Sequence, residues 1–254
     1  MILNSLICII AFLGISGFGY LANFLLSTKY KALSSIFILG FIFQTIILQI
    51  HYIFFPINFQ TSFIYLILSI ILFFYFKNFS IKDTILGNKF LSSIFFIIFV
   101  FLQSTSIQYP TNLDIPDFYL YHKNYIDWIN NYPAVEGLAL LNPRHGYAGV
   151  SYLNAAYYNF HPFFNNGWAV LTPTFIIFFL TIFFEVLVKN KNFHFKDINL
   201  SSIFILTSFY LIFKFILIIS KADTSHFLIF TIIAIYLFYL LLKNIENFNR
   251  YEIL

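Results

Sequence analysis

The chain of 254 residues is 60% hydrophobic and 9% charged, where soluble globular domains carry roughly a quarter charged residues. Its apolar residues fall in blocks, several near the 20 or so that a helix needs to cross hydrocarbon, which excludes an ordinary water-soluble domain. The formal charge of +4 is spread over short segments, so nucleic acid is not an expected partner and the lipid bilayer is. The lone Cys8 can form no intrachain disulfide. No positive segment precedes the first apolar run, the first basic residue being Lys29, so no cleavable signal peptide is expected. The 38 Phe and 18 Tyr are read as lipid-facing filler more than as cofactor contacts.

The predicted class is all-α integral membrane, a single polytopic domain over 1–254 with about seven transmembrane helices. The expected spans are approximately 2–26, 33–51, 61–76, 90–105, 168–188, 201–220 and 226–242. Lys29 and Lys31 follow the first span, and Lys77, Lys82 and Lys89 the third. Lys189, Lys191 and Lys196 follow the fifth, and Lys243 and Arg250 the last. Ten of the fourteen basic residues thus share one side, which the positive-inside rule makes cytoplasmic, with the N-terminus outside and the C-terminus inside. His51, His122, His145, His161 and His226 fall on or near the other side, with Asp114, Asp117, Asp127, Glu136 and Asp223.

The longest non-membrane stretch, about 105–167, is an extracytoplasmic loop too aromatic to be disordered. Asp114 or Asp117 suits the N-cap of a helix running to about Asn131, with Pro116 in its first turn and Pro133 closing it. Phe118, Tyr121, Tyr125 and Trp128 recur at helical spacing, as on a helix lying in the membrane interface. A second short helix is expected around 148–159, dipping into the bilayer. Asp114 and Asp117 have two readings of equal weight: helix caps, or a pair of carboxylates serving as general base or metal site. On a continuous helix His122 turns away from Asp117, so a joint metal site requires the chain to break there. Arg144, between Pro143 and Gly146, suits either capture of a phosphate or anchoring to lipid headgroups.

Within the spans, Glu185 stands four residues before Lys189, and an i,i+4 ion pair explains it. Lys214 stands six residues before Ser220, roughly 9 Å from its helix end, with Lys221 on the same face. Snorkelling accounts for Lys214, and so does an outward cavity in which Lys214 and Lys221 hold an anion. The turn KADTSH adds Asp223 and His226 at that level.

The run from Asp117 to His122 (DFYLYH), the DWINNYP from Asp127, Gly137–Leu138 and Arg144 together resemble the outer-loop signature of an uncharacterised family of bacterial multi-pass membrane proteins. That signature reads D-x-G-L-Y-H, then W-I, then G-L-x-N-L-H-x-R-x-x-F-N. Tyr119, Asn142 and Ala148 depart from it. The family resembles C-type glycosyltransferases, which use polyprenyl-phosphate-linked sugars and place catalytic carboxylates in an extracytoplasmic loop. The resemblance implies an inner-membrane enzyme of surface polysaccharide or glycolipid biosynthesis, with Asp117 and Asp114 catalytic and His122, Arg144, Lys214, Lys221 and Asp223 binding substrate. A divalent cation, if one is used, would sit on Asp114 and Asp117. Members are usually longer, which implies a truncated form or a partner membrane protein supplying further helices. Two other functions fit the same composition: a non-catalytic subunit of a polysaccharide assembly or export complex, and a small transporter.

Overall fold

The computed structural model describes residues 2–28, 30, 32–76, 123–135, 150–160, 164, 167–189, 200, 203–205, 207–208 and 225–252. Among these residues all regular structure is helical. The helices are α1 (Ile2–Leu25), α2 (Leu33–Phe54), α3 (Phe59–Tyr75), α4 (Lys123–Asn131), α5 (Val150–Tyr157), α6 (Trp168–Lys189) and α7 (Ser225–Glu252). Five expected spans correspond to α1, α2, α3, α6 and α7. The span at 90–105 lies outside the described residues, and of 201–220 only 203–205 and 207–208 are described, as helix. Two stretches, Leu6–Leu25 and Leu33–Phe54, are long and apolar enough to cross a membrane, while Phe59–Tyr75, Pro173–Phe183 and Ile229–Ile245 are shorter. Helix α7 continues ten residues beyond the expected end at 242, roughly 15 Å, because no Gly or Pro follows Leu242 to stop it.

Helix α1 is the centre of the bundle, packed against α2, α3 and α6. It approaches its neighbours backbone to backbone. A Cβ on Gly17 would stand 1.8 Å from the Ser69 carbonyl oxygen of α3, and one on Gly40 of α2 would stand 1.8 Å from the Ile15 carbonyl oxygen. Small residues allow this approach where polar surface is too scarce to direct packing. Tyr20 meets Phe73 and Phe24 meets Phe76, with ring centroids 5.8 and 5.4 Å apart, so α1 and α3 run parallel. Phe37 stacks on Phe178 at 4.7 Å and Phe41 meets Phe175 edge-on at 4.8 Å, so α6 runs antiparallel to α2. Gly19 meets Ile36 and Gly40 meets Ile15, so α1, α2 and α3 alternate in direction.

Helix α3 is inside out. It buries Ser62, Ser69 and Phe73 and exposes Phe63, Ile64, Ile67, Leu68, Ile71 and Phe74. A helix against water does the reverse.

Glu185 has a partner that helix spacing does not show. Its carboxylate accepts from the Ser34 backbone N–H at 3.1 Å and from the Ser34 hydroxyl at 2.7 Å. Helix α2 begins after Ala32, which offers no side-chain cap, so its first N–H groups lack a local partner. A carboxylate from α6 fills that role, where the helix dipole also favours negative charge. Spacing within one helix could not reveal a partner 151 residues away. The side chain of Lys189 lies outside the described residues.

Gly40→Ala and Gly17→Ala are expected to destabilise the bundle by roughly 1–3 kcal/mol each, since backbone must move to admit the methyl group. Gly14→Ala should matter less, because its Cβ would meet the Ser69 hydroxyl, a side-chain atom, at 2.8 Å. Melting temperatures of the three variants in one detergent test this order, and a Gly14 variant as damaged as the others contradicts it.

Candidate functional site

Of the stretch between α3 and α6, helices α4 and α5 are joined to the bundle by amide side chains. Gln44 lies eleven residues after Leu33, halfway along α2, and is 1% exposed. Its Nε2 donates to Asn154 Oδ1 of α5 at 2.7 Å, and Asn154 Nδ2 donates onward to Thr45 Oγ1 at 3.0 Å. The Tyr158 hydroxyl donates to Gln44 Oε1 at 3.2 Å. A buried amide without partners is heavily penalised, so these groups can be buried only together.

A second cluster fixes α4. Asn130 Nδ2 donates to the carbonyls of Ile57 at 2.6 Å and Ala156 at 2.9 Å, tying α4 to the α2–α3 turn and to α5. Asn159 Nδ2 donates to Asn130 Oδ1 at 2.8 Å, and Asn159 Oδ1 accepts from the Gly167 N–H at 3.1 Å. Gly167 admits no side chain, because a Cβ there would stand 2.1 Å from the Ala155 carbonyl oxygen. Backbone bonds from Ile57 N–H to Ile129 (3.0 Å) and from Ala134 N–H to Tyr52 (2.9 Å) complete the clamp. Tyr125 packs edge-on against Tyr152 at 5.4 Å. Burial raises the Tyr125 phenol above its ordinary pKa, and a hydrogen bond shared with Tyr52 partly offsets this.

Helices α4 and α5 fall where the sequence places them, with one change of face. The described part of α4 buries Tyr125, Ile126, Ile129 and Asn130, against protein. Trp128 is half-buried and meets Tyr132 at 4.7 Å, while Phe118 and Tyr121 lie outside the described residues. The buried face follows the hydrogen bonds of Asn130 more closely than the aromatic stripe. Ser62 Oγ, Trp128 Nε1 and the Tyr157 hydroxyl are buried without a hydrogen-bond partner among the described residues. The Ser69 hydroxyl faces Tyr157, but its proton goes to the Leu66 carbonyl at 2.8 Å.

Asp114, Asp117, His122, Arg144, Lys214, Lys221 and Asp223 all lie outside the described residues, and with them the expected metal site on Asp114 and Asp117. Along the chain, Asp117 and His122 come just before α4, and Arg144 comes between Val135 and Val150. Among the described residues no three metal-ligating side chains gather. The two amide clusters carry neither charge nor nucleophile. Their chemistry is to hold α4 and α5, which adjoin Asp114, Asp117, His122 and Arg144 in the sequence. Sequence reasoning passed over Gln44, Asn130, Asn154 and Asn159; the available signal was Gln44, a lone amide within an apolar run.

Comparison with known proteins returns one family model, described as "Domain of unknown function (DUF8201)", matching residues 1–254. No curated protein and no solved structure matches.

Replacing Gln44 with Leu removes the Gln44 bonds of Asn154 Oδ1 and of the Tyr158 hydroxyl, and Asn154→Leu removes the acceptor of Gln44 Nε2. Each substitution should cost about 1–3 kcal/mol, and the double variant less than the sum, because the bonded partners go together. Thermal melting in detergent, with trypsin cleavage at the exposed Lys123 as a second readout, tests this. Additive losses, or none, would remove the amides from a structural role.

Proposed function

The chain belongs to the DUF8201 family over its whole length, and we propose that it is a multi-pass membrane protein that transfers a sugar from a polyprenyl-phosphate donor at the outer leaflet. Support for the membrane part comes from the two helices of spanning length, from the inside-out α3 and from the alternating directions of α1, α2 and α3. With the lysine distribution, these favour the cytoplasmic membrane of a bacterium, N-terminus outside and C-terminus inside. Position 254 fused to alkaline phosphatase should then be inactive and fused to a cytoplasmic fluorescent protein should glow; the opposite pair of results overturns the orientation.

The transfer reading is carried by the docking of the loop. A tether between spans needs no buried amides, whereas a reaction site needs its backbone held in place. Here α4 and α5 are fixed by Asn130, Asn154 and Asn159, and Asp114, Asp117, His122 and Arg144 adjoin them in sequence. In the proposed reaction Asp117 takes the proton of an acceptor hydroxyl, with Asp114 assisting or holding a divalent cation. The acceptor oxygen bonds to the anomeric carbon as the bond from that carbon to the phosphate oxygen breaks. The lipid phosphate departs with the bonding pair, its charge met by Arg144, Lys214 and Lys221. His122 and Asp223 contact the sugar.

Asp117→Asn keeps size and much of the capping ability but removes the charge, so turnover of lipid-linked sugar should fall by about 10²-fold or more. A cap alone would lose about 1 kcal/mol or less and leave near-normal turnover. Lys214→Met, which keeps the packing of the stem, should also lower turnover if it meets phosphate. Normal turnover in both variants, at normal abundance in cells lacking their own copy, would end the transferase reading in favour of an assembly subunit.

A further inference from the structure

At the turn between α2 and α3 an open cleft of about 370 Å³ is lined by polar side chains that take no part in the amide clusters: His51, Asn58, Gln60, Thr61 and Tyr65. The Tyr65 hydroxyl lies 3.1 Å from His51 Nδ1, and Thr61 Oγ1 lies 3.4 Å from Nε2. Asn58 Oδ1 caps α3 by accepting from the Thr61 backbone N–H at 3.1 Å and from the Thr61 hydroxyl at 3.2 Å. With its proton given to Asn58, Thr61 accepts from His51, so a neutral ring carries hydrogen on Nε2 while Nδ1 accepts from Tyr65. The bond from Nε2 is long, and the Pro56 carbonyl is a second acceptor beside the ring. The amide nitrogen of Asn58 and the exposed amide of Gln60 donate to no described residue. The cleft therefore offers unused donors and acceptors side by side.

Among the described residues no charged side chain lines this cleft. Phosphates and carboxylates are matched by cations. A neutral mixture of donors and acceptors matches hydroxyl groups, each of which donates and accepts. Ring faces border the cleft, His51 lying 5.6 Å from Phe55 and 5.5 Å from Tyr65 between centroids. Its volume falls at the low end of the range for ligand pockets, about 300–1,000 Å³, and suits a single pyranose ring. The rim is apolar: Phe55 and Ile64 are each 62% exposed, and the exposed stripe of α3 continues from Ile64 through Ile67, Leu68 and Ile71.

We propose that this cleft binds the sugar headgroup of a glycolipid, whose hydrocarbon tail lies along the exposed face of α3. The inference rests on the membrane reading of the chain and not on sugar transfer by Asp117. The protein is reconstituted in phosphatidylcholine vesicles containing a minor fraction of monoglucosyl diacylglycerol, released into a sugar-free detergent, and its bound lipids are counted by native mass spectrometry. The wild type should retain the glucosyl lipid in preference to phosphatidylcholine, and free glucose should not displace it. His51→Phe and Gln60→Ala should each reduce retention about tenfold. Gln60 is exposed, so its variant keeps the fold, and an unchanged melting temperature checks the His51 variant. Equal retention by wild type and both variants would identify ordinary boundary lipid and overturn the proposal. Displacement by free glucose would overturn its lipid part. Because no turnover is measured, an inactive or active Asp117→Asn leaves this result unaffected, whereas a chain that fails to enter the vesicles ends the membrane reading and this inference together.

Discussion

Gln44 stands halfway along an apolar helix, buried from bulk water. Removing such a group from water is favourable only if another polar group is buried with it, and here that group comes from the loop. Asn154 meets Gln44 and Thr45, and Tyr158 closes the cluster, so α5 can be nowhere but beside the middle of α2. The same reasoning places α4, whose Asn130 bonds carbonyls from both the α2–α3 turn and α5. In an interior this rich in interchangeable Phe, Ile and Leu, apolar contact alone fixes few positions. The amides supply the direction that dispersion lacks.

Two kinds of packing thus divide the molecule. Around α1 the helices approach through glycine, backbone on backbone, and the specificity lies in shape: Gly17 and Gly40 leave no room for a methyl group. Around α5 the specificity lies in hydrogen bonds. Glu185 joins the second kind at the opposite end of α2, capping with a charge a helix that opens on Ala32. The outward surface obeys a different rule again, as α3 hides serines and displays Ile and Phe. On the proposed membrane reading, lipid is the solvent that makes this arrangement favourable.

Much of this was legible beforehand, and the limits have physical causes. Long apolar blocks located α1, α2, α3 and α6 to within a few residues, because spanning length is a constraint on single helices. The end of α4 was marked locally by Pro133. What sequence spacing could not carry was any partnership across distance. Spacing on the helix pairs Glu185 with Lys189 and is silent on Ser34, 151 residues away. Of the stripe from Phe118 to Trp128, Tyr125 turns into the protein and Trp128 is half-buried, and Asn130 on the adjoining face is buried with Tyr125. Polar residues in apolar runs were informative, but the ionisable ones drew the attention and the amides did the organising.

The proposed transfer chemistry depends on the loop being part of the fold, and that is open to direct measurement. Hydrogen–deuterium exchange followed by mass spectrometry, on the protein in lipid nanodiscs, would compare the peptide covering 150–160 with those covering α2. Burial of Asn154 and Tyr158 against Gln44 predicts exchange in the two segments at similarly slow rates, since opening one requires breaking the bonds to the other. Complete exchange of 150–160 within the first time point, with α2 still protected, would show a solvated loop and contradict the account.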